Sequence, residues 1–89
     1  MAYVIIYDTF RIMGDDMTEK TDWEMKAANL LKAELKRKGV TYSGLVERLA
    51  AIGVDEKEVN VRNKLSRGKF TAAYLLQCLV AIGVTDMRL

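Results

Sequence analysis

A mainly α, compact domain of four to five helices, of helix-turn-helix (repressor-like) type with an N-terminal β-strand, is expected from three features. The chain contains no proline. Apolar residues recur at three- and four-residue spacing in four separate segments, the signature of helices with one buried face. Gly39, Gly53, Gly68 and Gly83 each stand at the end of such a segment, where a helix is ordinarily terminated. With 89 residues, the chain has room for one core and one domain.

The elements follow in order. Residues 1–20 form an N-terminal strand and acidic linker, and residues 21–89 the helical domain. Tyr3, Val4, Ile5, Ile6 and Tyr7 are β-branched or aromatic, as in a strand, and Gly14, Asp15 and Asp16 break the pattern. A lone strand needs a partner for its backbone groups. These five residues are therefore the expected dimer contact, through a two-stranded antiparallel ribbon.

A first helix is expected over 22–38, capped by Thr21 or Asp22, with Trp23, Ala27, Leu30, Leu31 and Leu35 as its apolar stripe. Lys36, Arg37 and Lys38 suit its C-terminal dipole. A second helix is expected over 42–52, capped by Thr41, burying Tyr42, Leu45, Val46, Leu49 and Ile52. Val54 should fold back over Leu49 after Gly53. A third is expected over 56–67, with Asp55 and Glu58 as a capping box and Val59, Val61 and Leu65 as a thin apolar face. Thr71 should cap a fourth helix running through Ile82, apolar nearly all round and hence central to the core. Its ending, LVAIGVTD at 79–86, repeats LAAIGVDE at 49–56.

Composition removes several classes of function. Histidine is absent and Cys78 is the single cysteine, which excludes His-based catalysis, a disulfide framework and multi-Cys metal sites. Cys78 sits in an apolar stripe and reads as an inert buried thiol. Tyr74 and Trp23 read as core anchors. No glycine pattern forms a phosphate loop, and no acid and base pair up for catalysis. No enzyme activity, cofactor or metal is expected. No apolar run is long enough for a membrane span, and no signal peptide opens the chain. The expected compartment is the cytoplasm.

Charge is unevenly placed. Residues 1–19 carry a net −3 and residues 20–89 a net +5. Residues 60–69, NVRNKLSRGK, hold four cations and no acid. Arg and Lys neutralise phosphates, while Asn and Arg read adenine and guanine edges. The segment lies on the second helix after the Gly53–Val54 turn, the position of a recognition helix. The candidate DNA-binding residues are Lys57, Asn60, Arg62, Asn63, Lys64, Ser66, Arg67 and Lys69. The plainer alternative is a solvated charged face.

Two resemblances follow from these motifs. GVTYSGLVERLAAIGV, NVRNKLSRGKF and AAYLLQCLVAIGV resemble the core of phage-repressor-type helix-turn-helix domains. That resemblance implies a reading face of Arg62, Asn63, Lys64 and Arg67, with Lys69 in a phosphate-facing loop. Each motif helix is about one turn longer than in those domains, and Tyr42 stands where they open with Gln. Residues 23–84 more closely resemble a set of small bacterial proteins of unknown function, with the pattern LLKAELK…GVTY…RNKxSRGKF…LLQCLxAIGV. That resemblance implies no activity.

The expected function is binding of double-stranded DNA by a small dimeric transcriptional regulator. The alternative is a protein-interaction module on the same scaffold, its partner bound through the N-terminal strand or the third helix. The orientation of the third helix discriminates between them. Outward Arg62, Lys64, Arg67 and Lys69 support DNA, and the same groups tied to carboxylates support a protein partner.

Overall fold

The computed structural model describes residues 21–89. It contains four helices: α1 (Asp22–Lys38), α2 (Tyr42–Ala51), α3 (Glu58–Arg67) and α4 (Ala72–Ala81). No strand occurs among the described residues. The strand and dimer contact expected at Tyr3, Val4, Ile5, Ile6 and Tyr7 lie outside them.

Local chemistry sets most helix ends. Thr21 accepts a hydrogen bond from the Glu24 N–H at 3.1 Å, and the Glu24 carboxylate accepts one from the Thr21 N–H at 2.9 Å. This reciprocal box satisfies two backbone donors that the first turn leaves over. Thr41 and Thr71 repeat the threonine half of the device at α2 and α4, accepting from Gly44 N–H and Tyr74 N–H at 3.0 Å each. The repeated LxAIGV endings close in the same way. The Val54 N–H donates to Leu49 C=O, and the Val84 N–H to Leu79 C=O, both at 2.9 Å. Val54 thus folds back on Leu49 as its spacing demands.

The start of α3 departs from expectation. The helix begins at Glu58 rather than Glu56, its N-cap is Lys57 rather than Asp55, and no side chain caps it. The expected Asp55–Glu58 box is absent because Glu56 turns inward and fixes the backbone in an extended approach. Residues 52–57 therefore connect α2 to α3, a longer link than the three- or four-residue turn of a helix-turn-helix.

The helices form a four-cornered arrangement. α1 and α2 each pack on both α3 and α4, while α1 and α2, like α3 and α4, share no close backbone approach. Leu31 and Leu35 of α1, Leu45 and Leu49 of α2, Val61 and Leu65 of α3, and Tyr74, Cys78 and Leu79 of α4 fill the centre together with Ile82. Removing such side chains from water is the main favourable term, about 1.5–3 kcal/mol for each large one.

Three expectations about the core are corrected. Trp23 is no core anchor; it is 78% exposed at the first turn of α1. Ile52 lies just beyond α2 and is exposed. α4 is not central, since Leu76 and Val80 are 60% and 63% exposed. Its apolar character is shared between a core face and an outer face.

Candidate nucleic-acid interface

α3 is held against the body by Val61 and Leu65, both buried, and by Gly68, which follows its last turn. At 3.6 residues per turn, burying that side sends Val59, Asn63 and Ser66 to the outermost row. Arg62 flanks the row on one side, and Asn60 and Arg67 on the other. All six are exposed. Lys57, at the N-cap, and Lys69, just past Gly68, are also exposed. Seven of the eight residues expected to contact DNA are thus accessible on or beside α3.

Lys64 is the exception, and its expected outward position is corrected. Its ammonium donates to the Glu56 carboxylate at 3.0 Å and lies 4.2 Å from the centre of the Tyr74 ring. The Glu56 side chain is only 5% exposed, against 40% for Lys64. Burial disfavours the Glu56 carboxylate, yet hydrogen bonds from Lys64 and from the Lys57 N–H outweigh it and hold its pKa below the ordinary value. Tyr74 lies beneath this pair. Its titration is pushed far up, by burial first and the Glu56 carboxylate second. The Tyr74 hydroxyl is electrostatically near Glu56 and Cys78 but completes no well-formed hydrogen bond among the described residues. Burial also raises the Cys78 thiol to about 11, so it stays protonated and inert at neutral pH. Lys64, Glu56 and Tyr74 therefore fasten α3 to α4 and are not a surface for a ligand.

The other cations differ in how firmly they are held. Arg62 donates to Glu58 one turn earlier at 2.8 Å, and both side chains are exposed. Its guanidinium also lies 6.0 Å from the centre of the Tyr42 ring. Lys69 reaches back to Glu24 at 2.7 Å, and that ammonium is the first cause of the lowered pKa of Glu24. Exposed pairs of this kind are worth about 0–1 kcal/mol and exchange readily for another anion. Arg67 makes no ion pair among the described residues.

Val59 is a site residue that the sequence pattern conceals. The expected apolar face groups it with Val61 and Leu65, but it is 52% exposed in the outermost row. Its offset of two from Val61, about 200° around a helix, is the signal that separates them. A branched apolar side chain beside Asn63 is suited to a thymine methyl group.

The remaining surface offers little chemistry. No group of three or more Cys, Asp or Glu able to hold a metal ion occurs among the described residues. No described helix is long and apolar enough to cross a membrane. The fold and site define a small four-helix domain with an exposed amide- and arginine-bearing third helix.

The chain belongs to the family described as a domain of unknown function, DUF6471, whose model matches residues 23–87. Neither the curated proteins nor the solved structures include a match.

Proposed function

We propose that this domain binds double-stranded DNA as a small transcriptional regulator, with α3 in the major groove. The observation that carries the reading is the outer row of α3: exposed Asn63 and Ser66 beside Val59, with Arg62 and Arg67 on either flank. Asn pairs with adenine and Arg with guanine or phosphate, and Val suits a thymine methyl group. The likeness to phage-repressor-type domains points the same way. The weak carboxylate pairs on Arg62 and Lys69 are exchangeable for phosphate, a charge-assisted contact of comparable or greater strength. Lys64 takes no part.

Selection from a random duplex pool followed by mobility shifts at two salt concentrations tests this. Asn63→Ala is expected to cost about 1–3 kcal/mol of specific binding. Arg67→Ala should lower affinity and flatten the salt dependence. Glu58→Gln should strengthen binding to every duplex, because it removes a charge that repels phosphate and releases Arg62. Indifference to Asn63→Ala and Arg67→Ala together would overturn the reading.

The second reading, a protein-interaction module, is favoured by one observation. Three of the four cations in residues 60–69 already have carboxylate partners. On that reading Glu58→Gln leaves nucleic-acid binding absent, and purified protein shows no nucleic-acid absorbance.

A further inference from the structure

No charged side chain occurs from Phe70 to Thr85, so α4 is uncharged throughout. Its core face is spent on Tyr74, Cys78 and Leu79. The opposite face carries Ala72, Leu76 and Val80 at four-residue spacing, with Ala73 beside them, all exposed. Leu76 and Val80 are one turn apart and align as one ridge. Because α4 sits at the corner diagonal to α3, whatever covers this ridge leaves the outer row of α3 open.

We propose that the outer face of α4 is the contact between two copies of this chain. Charge identifies the occupant. A two-fold contact sets each surface against itself, so a charged face repels its own copy. The body of this protein is basic, with a net +5 over residues 20–89. α1 and α3 present cations to solvent, including Lys36, Arg37 and Lys38 on one and Arg62 and Arg67 on the other. The α4 ridge is apolar and neutral, so two copies meet there without bringing cations together. An acidic protein partner is instead drawn to the basic faces, since a neutral ridge gives it no electrostatic steering.

A two-fold axis crossing α4 at right angles runs the paired helices antiparallel. It sets residue 76 of one copy against residue 80 of the other. A helix of 10 residues spans about 15 Å, less than a standard interface of about 800 Å² per partner needs. The expected dimer is accordingly weak and concentration-dependent. This contact does not rest on nucleic-acid binding and is tested without it.

The test is sedimentation of the full chain and two variants, Leu76→Lys and Val80→Asp. The wild-type chain is expected to show a concentration-dependent dimer, and each variant a monomer. Far-UV circular dichroism and melting temperature should stay unchanged, because both positions face solvent. Mixing the two variants should restore a dimer, now a heterodimer in which the new ammonium and carboxylate face each other. A wild-type chain that stays monomeric at high concentration overturns the proposal. If Leu76→Lys also lowers the melting temperature of that monomer, the ridge is covered from within the chain. A dimer that survives both substitutions but is lost on removing residues 1–13 places the contact in the N-terminal segment, and likewise overturns it.

Discussion

Gly68→Ala is expected to destabilise the domain by about 2–4 kcal/mol, through a left-handed backbone and a steric clash together. Gly68 ends α3 at φ 70°, in the left-handed region where a Cβ is unfavourable. That conformation alone costs an L-residue about 1–2 kcal/mol. A Cβ at Gly68 would also stand 2.5 Å from the backbone carbonyl oxygen of Glu24, and 2.8 Å from its carbon. Those are backbone atoms of the first turn of α1, so no side-chain rotation relieves the overlap. Gly39 supplies the control. It ends α1 at φ 69°, but a Cβ there would meet nothing within 4 Å. Gly39→Ala should therefore cost only the conformational part, about 1–2 kcal/mol. Urea melts of the two variants check the difference. Equal losses would show that the close approach of α3 to α1 has no energetic weight.

Lys64→Ala carries the next largest expected loss, about 2 kcal/mol. It strips the Glu56 carboxylate, nearly shut off from water, of its charge partner, while the Lys57 N–H continues to donate. The figure sits below that for a wholly buried pair because Lys64 itself reaches solvent. The same pair makes stability depend on acid. Glu56 titrates below its ordinary 4.5 in the fold. Its contribution is thus fully present above that ordinary value and is lost as pH falls through the lower, folded one. Glu56→Gln should flatten the acid limb of the stability curve, and adding it to Lys64→Ala should cost less than the two separate losses combined. Additive losses and an unchanged acid limb would separate the two residues energetically.

The parts of the fold legible in the sequence are those set within a few residues. Thr21, Thr41 and Thr71 cap helices because a hydroxyl and an N–H three residues on are neighbours by geometry alone. The bounds of α1 follow from such local rules, and α2 falls one residue short of its expected end. The start of α3 escapes them for the opposite reason. Asp55 and Glu58 carry a capping-box spacing, but Glu56 gains more by reaching Lys64, eight residues away, over the Tyr74 ring. Trp23 shows the same limit, since its spacing matches the buried stripe while its place at the first turn leaves it beyond the packed region. In the candidate site, Asn60, Arg62, Asn63, Ser66 and Arg67 are legible as a polar helix face. The inward turn of Lys64 and the outward turn of Val59 depend on where α4 lies, which no local pattern encodes.

The seam at Gly68 has a mechanical consequence. The end of α3 rests on the first turn of α1, and Lys69 bonds Glu24 across 45 residues of chain. A tension applied to the polypeptide ahead of Thr21 would therefore be delivered to the final turn of α3 before it strains the leucines inside. Whatever tethers that end of the molecule holds a lever on the helix that carries Asn63 and Arg67.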